Sequence, residues 1–120
     1  MTFLPVVTGI VSESNSSTEL LSANQVFTGT SVLCREYTTA SLTIQSDQIG
    51  NASLQFSQDA TNWDIKCAFV YSPATPNFSK QILIEGLYMR VVYTNGGVAQ
   101  TNFRMQARLH VTNSARDTEQ

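Results

Sequence analysis

From Thr39 to Asp64 the chain alternates apolar and polar residues with the two-residue period of a β-strand. Ala40, Leu42 and Ile44 fall on one face, and Ser41, Thr43 and Gln45 on the other. A turn-rich break follows, Ser46-Asp47-Gln48-Ile49-Gly50-Asn51. The alternation then resumes with Ala52, Leu54 and Phe56 inward and Ser53, Gln55 and Ser57 outward. This pattern predicts two half-buried strands joined through a Gly50-Asn51 turn, an antiparallel hairpin with one wet face. The second arm runs into a polar loop, Ser57 to Asn62, which delivers Trp63, the single tryptophan. That loop reads as a device to fold the indole back over the sheet as a core plug.

The flanking segments repeat the theme. Leu4 to Val11 is an arm or edge strand, because Pro5 confines it to a strand start or an edge. Ser12 to Thr18 is a polar connector, flexible by composition. Glu19 to Ala23 is open between a short strand and a helical turn. Gln25 to Gly29 and Ser31 to Cys34 read as two strand pieces broken at Gly29, as at a bulge. Further strands are expected over Ile65 to Tyr71, Phe78 to Glu85 and Leu87 to Tyr93, with a proline-bearing loop at Ser72 to Asn77. Thr94-Asn95-Gly96-Gly97-Val98 is the clearest hairpin turn. A last strand runs from Thr101 to about Val111, with Phe103, Met105, Ala107, Leu109 and Val111 inward and Arg104, Gln106, Arg108 and His110 outward. No stretch carries an apolar stripe of helical period. About eight short strands between turn signals mean an antiparallel sandwich or barrel.

Composition sharpens this picture. At 120 residues the chain is one domain with room for a core. Only 13% of residues are charged, about half the usual share of roughly 25%. Ser, Thr, Asn and Gln fill the surface instead, as in extracellular, fibrous or virion β proteins. A net charge of -2 makes no electrostatic case for nucleic acid. No apolar run reaches membrane-spanning length, and Met1 to Val11 lacks the basic and long apolar regions of a signal peptide. Thr112 to Gln120 reads as a short polar tail with a mobile tip.

Little in the chain points to catalysis. His110, the single histidine, lies on the outward register with no motif tying it to a nucleophile or an acid. Cys34 and Cys67 have neither zinc spacing nor a second histidine, and read as two small unpaired thiols rather than a disulfide. Asp59, Asn62 and Asp64 do not fit the EF-hand spacing, and such acids usually bond the local backbone. Asn15-Ser16-Ser17, Asn51-Ala52-Ser53 and Asn77-Phe78-Ser79 match the glycosylation pattern, as chance allows in so polar a chain. No catalytic, cofactor-binding or metal-binding residue is assigned, and the protein reads as a non-enzyme. Arg104 and Arg108 share one face of one strand, as a patch for an acidic neighbour or as solvated stems. Trp63 with Tyr71, Tyr88 and Tyr93 offers aromatic faces for stacking a sugar.

Two stretches carry a resemblance. The first is Leu54 to Asp64, LQFSQDATNWD, and the second is Leu87 to Gln106, LYMRVVYTNGGVAQTNFRMQ. A strand running into "FSxDxxNWD", followed by "YMRVVYTNG" and "QTNFRMQ", resembles β-sandwich domains of phage and large DNA virus structural proteins. Those domains occur in capsid-surface decoration proteins, minor capsid proteins and fibres. The resemblance spans Phe27 to Leu109. It departs at Ala60, where such loops often carry Gly, and at Met89, where Phe is common.

The resemblance implies an antiparallel jelly-roll-like β-sandwich over residues 19–111, behind an arm and connector at 1–18 and before a tail at 112–120. It also implies a non-enzymatic virion structural protein, made in the host cytoplasm and placed at the capsid surface. As a decoration or minor capsid subunit it would self-associate, as a trimer or another symmetric oligomer, and bind major capsid or other virion proteins. No cofactor, nucleic acid or membrane is implied. The expected contacts are Phe3, Leu4, Val6, Val7 and Ile10 of the arm, which either adds to a neighbour's sheet edge or is the first strand of its own sandwich. Arg104 and Arg108 would form a polar interface. The alternative is a receptor- or carbohydrate-binding fibre domain that stacks sugar on Trp63 and Tyr71. A secreted adhesion domain would need a signal peptide.

Overall fold

The structure, a computed structural model, describes residues 7–75 and 78–112. Nine strands form among them: β1 (Val7–Ser17), β2 (Val26–Thr28), β3 (Val32–Leu33), β4 (Thr39–Ser46), β5 (Gly50–Ser57), β6 (Ile65–Tyr71), β7 (Phe78–Leu83), β8 (Tyr88–Asn95) and β9 (Phe103–Thr112). One sheet has the order β1-β9-β4-β7 and the other β2-β8-β5-β6, with β3 also pairing β8. Every pairing is antiparallel. The partners nest from the ends inward: β1 with β9, β2 and β3 with β8, β4 with β7, β5 with β6. A long two-stranded ribbon rolled into two sheets in this way is a jelly-roll sandwich.

The alternation expected from the sequence sets which faces are dry. Leu42, Ile44, Met105 and Leu109 point inward from the first sheet, and Leu54, Phe56, Met89 and Val91 from the second. Burying each such side chain is worth about 1.5–3 kcal/mol, and the rings of Tyr93 and Phe103 meet between the sheets at 5.1 Å. The break at Gly29 falls between β2 and β3 as anticipated. A side chain there would collide with Asn15.

The pairing differs from the expectation. Thr39–Ser46 and Gly50–Ser57 do not form a hairpin, because β4 lies between β9 and β7 while β5 lies between β8 and β6. Likewise Gly96-Gly97 joins strands of opposite sheets and is not a hairpin turn. Both connections are corners at the same end of the sandwich. Asp47 bridges them, accepting hydrogen bonds from Thr101 N–H, Thr101 Oγ1 and Asn102 N–H. Asn95 Nδ2 donates to the carbonyls of Ser22 and Val98, and Gln100 Nε2 donates to Ser46 Oγ.

Ser12 to Ser17, expected as a flexible connector, is the second half of β1. Its register against β9 shifts between Ser12 and Ser17, and in that irregular stretch Asn15 is buried. Asn15 Oδ1 accepts from the Val91 N–H at 2.7 Å, and Nδ2 donates to Ser12 Oγ and the Thr30 carbonyl, both at 3.0 Å. A single side chain thus ties β1 of one sheet to β8 of the other. Glu19 to Ala23 is neither strand nor helix; it is a connection pinned by buried Leu21, whose N–H meets Gln100 Oε1. Residues 1–6 of the expected arm and 113–120 of the expected tail lie outside the described residues.

Candidate functional site

The residues expected to mediate contacts do not converge on one place. Phe3, Leu4 and Val6 lie outside the described residues. Val7 and Ile10 belong to β1, which pairs with β9 as an ordinary first strand, and Ile10 stays exposed at that sheet edge. Arg104 and Arg108 are both exposed on the outer face of the first sheet.

That outer face is built from the polar half of each alternation. Gln45 stands opposite Arg104, Thr43 opposite both Gln106 and Ser79, and Ser41 opposite both Arg108 and Gln81. Arg104 donates to Gln45 Oε1 at 2.8 Å. Between this face and the Pro73–Thr75 loop lies a half-open groove of about 630 Å³. Thr43, Gln45, Thr75, Ser79, Asn102 and Gln106 line it with Arg104, while Pro73 and Phe78 supply apolar wall. Arg104 is the only charged residue among its lining residues. The sequence placed Arg104 outward correctly. It did not reveal the groove, which needs β7 beside β4 and the Pro73–Thr75 loop that precedes β7 placed beside them.

One juxtaposition on the same face was not legible from motifs. Ser41 Oγ lies 2.9 Å from His110 Nε2. Partial burial, and then the nearby Arg108 charge, lowers the imidazole below its ordinary pKa. Ser41 sits in the middle of inner strand β4, whose backbone is hydrogen-bonded to β9 on one side and β7 on the other. The neighbouring N–H groups are therefore committed to the ladder and are not free to stabilise an oxyanion. The pair cross-links two strands.

The outer face of the second sheet differs. Val26, Leu33 and Val70 are exposed there, with Val92 and Tyr88 half-buried between them. Trp63 is not the core plug expected from its loop. It is half-exposed, with the Arg90 guanidinium 4.4 Å from the ring centroid, and Arg90 Nε donates to Gln55 Oε1 at 2.9 Å. Arg90 stacks because it points outward between inward Met89 and Val91. Tyr71, expected to join Trp63 in stacking a sugar, is buried. Its hydroxyl accepts from the Ser46 N–H and donates to the Ser46 carbonyl across the sheets. Tyr93 is buried too, and desolvation, with Tyr71 close by, pushes its pKa up to about 12.

The loop acids bond backbone as anticipated. Asp59 accepts from the N–H groups of Thr61 and Asn62, from Asn62 Nδ2 and from Ser57 Oγ, which holds its carboxyl well below the usual range. This turn forces Ala60 into the left-handed region at φ 64°. Asp47 is lowered in the same direction by Thr101, Gln48 and Asn102. Cys34 and Cys67 are free thiols, and burial pushes Cys34 up to about 11. Asn15 is locked inside, so the first glycosylation match is inaccessible in the folded protein. Among the described residues no three His, Cys, Asp or Glu side chains gather to hold a metal ion, and no helix is long and apolar enough to cross a membrane.

The family model described as "Uncharacterised protein YqxG N-terminal domain" matches residues 6–110. None of the curated proteins matches the chain. Among solved structures, the PBSX exported protein XepA aligns with a TM-score of 0.71 at 12% identity, over 88% of this chain and 37% of its own. The structure of infectious bursal disease virus, Gx strain, aligns with a TM-score of 0.50 at 8% identity, over 89% of this chain and 32% of its own. The chain thus spans about a third of the length of each. At such identities the likeness is one of fold.

Proposed function

The chain belongs to the YqxG N-terminal domain family, and we propose that it is a non-enzymatic structural module of a virion, a small capsid-associated subunit that self-associates and binds the shell. The observation that carries this reading is the outer face of the second sheet. In a chain with only 13% charged residues, it presents Val26, Leu33, Val70, Val92, Trp63 and Tyr88 interleaved with uncharged Thr28, Asn51, Ser53 and Thr94 on a two-sheet body. Exposed aliphatic side chains with aromatics and an arginine on a face of low charge suit an interface centre. Likeness in fold to a virus structure and to a PBSX exported protein supports the assignment.

On this reading a second copy of the chain covers this face, and the shell is met by the arm Phe3, Leu4, Val6, Val7 and Ile10 and by Arg108. The protein would be made in the host cytoplasm and act at the capsid surface. Light scattering on the full chain and on Val70→Glu tests it. Val70 is 68% exposed, so the substitution leaves the core intact. A closed oligomer that falls to monomer in the variant is the expected result. An oligomer of unchanged mass would overturn the placement of the interface. Co-sedimentation with purified shells tests the arm, with a chain starting at Val7 so that β1 remains whole. Undiminished binding by that chain would remove Phe3, Leu4 and Val6 from the assignment.

A further inference from the structure

The groove on the first sheet has a different chemistry, and it points beyond assembly. We propose that it is a binding site for an acidic saccharide, a sugar unit carrying a carboxylate, with Arg104 as the anion partner.

Arg104 has one donor engaged by Gln45 Oε1. Its remaining N–H groups match the paired oxygens of a carboxylate. Among the described residues that line the groove there is no Asp or Glu to compete for Arg104. Around that single cation stand Thr43, Thr75, Ser79, Asn102 and Gln106, hydroxyls and amides that both donate and accept. Such groups suit a ring bearing several hydroxyls. Pro73 gives a small apolar wall against which the C–H face of a sugar can lie, while Phe78 lines the groove from the core, where it packs edge-on against Tyr71.

The floor is a hydrogen-bonded sheet in which β4 pairs with both β7 and β9, so the polar groups are held in fixed register. A single cation is too little for a nucleic acid backbone. The predominance of neutral polar side chains over apolar ones also disfavours a peptide anchored by its side chains. The groove holds about 630 Å³, within the usual range for small-ligand sites.

The site does not use Trp63, and buried Tyr71 lines it without offering an exposed ring face for stacking. It is also independent of self-association, because it lies on the sheet opposite the proposed interface. Titration calorimetry on the full chain decides it, with sialyllactose and a glucuronic acid disaccharide as probes. Lactose is the neutral control, and sulfate and a glutamate-rich peptide are the anionic controls.

Binding of one or both acidic sugars is expected, with lactose weaker by about tenfold or more. Arg104→Gln should lose a similar factor, while Arg108→Gln, two outward positions further along β9 and outside the groove, should leave sugar binding unchanged. Both arginines are exposed, so an unchanged melting temperature will verify that the variants fold. Ser79→Ala and Gln106→Ala should each weaken acidic-sugar binding while leaving any sulfate binding untouched. Failure of both sugars at millimolar concentration overturns the proposal. So does equal binding of sulfate, equal binding of the acidic peptide, or an equal loss in Arg108→Gln.

Discussion

The two outer faces of this sandwich share an architecture and differ in almost everything else. On the first sheet the outward positions are mostly polar, among them Ser41, Thr43, Gln45, Ser79, Gln81 and Gln106 with Arg104 and Arg108, and exposed Val11 and Leu83 lie on its two edge strands. On the second, Val26, Val70, Val92, Tyr88 and the Arg90–Trp63 stack stand among Asn51, Ser53 and Thr94. The inner faces are alike, since any pair of sheets must bury Leu, Ile, Met and Phe against each other. Only the outer residues are free of that demand. One face stays hydrated and can engage a hydrated ligand, whereas the other loses little by being covered with protein.

The contrast depends on the two sheets being one rigid body, so the largest effect should come from breaking their tie. Asn15→Ala would leave the Val91 N–H and the Thr30 carbonyl without their partner, costing about 2–3 kcal/mol in urea unfolding. If stability is unchanged, β1 is not pinned to the second sheet by Asn15. Next, charge placed on either face should separate their roles. Val92→Glu should dissociate the oligomer, whereas Thr43→Glu should leave its mass unchanged and abolish acidic-sugar binding. Equal loss of association in both would erase the distinction.

Smaller still is the stack on the second face. Arg90→Met should cost about 0.5–1 kcal/mol and alter Trp63 fluorescence, and an unaltered spectrum would separate the two side chains. The turn that carries Trp63 gives a change of opposite sign. Ala60→Gly should stabilise by about 0.5–1 kcal/mol, because φ 64° strains any residue with a Cβ. A lower melting temperature would contradict that strain.

The smallest effect belongs to His110. Its pKa is depressed on folding, so the unfolded chain binds the proton more readily. No contribution exists while both states are neutral, and stability declines as the pH falls below the ordinary value of 6.5. His110→Gln should remove that part of the pH dependence. Asp47 and Asp59 act lower on the scale: their stabilisation is present above the ordinary 3.8 and is lost as the pH falls below it.

Much of the site was legible only as a set of directions. Arg104, Gln106, Thr43 and Gln45 were assigned outward by alternation, and that assignment holds. Their gathering with Ser79 and Thr75 was not legible, because it depends on which strand lies beside which. The Ser41–His110 contact has the same origin, with the two residues brought together from 69 positions apart. Trp63 was misjudged for a related reason. A loop that returns a ring toward a sheet can lay it on either side, and the choice was made by Arg90 and Gln55 on the outer face.

By itself the sequence determined the all-β class, most strand positions apart from the second half of β1, the inward and outward sets of the strands it located and the break at Gly29. Those features follow from local sterics and from the two-residue period, which every strand must satisfy whatever its neighbours. The tertiary structure alone decided the pairing. Two amphipathic arms can bury the same residues side by side in one sheet or face to face in two, and the period is the same in both cases. What tips the balance here is non-local: Asp47 joining the two corners, Asn15 spanning the sheets and Tyr71 reaching Ser46. Each is a polar side chain whose partner backbone exists only once the sandwich has closed.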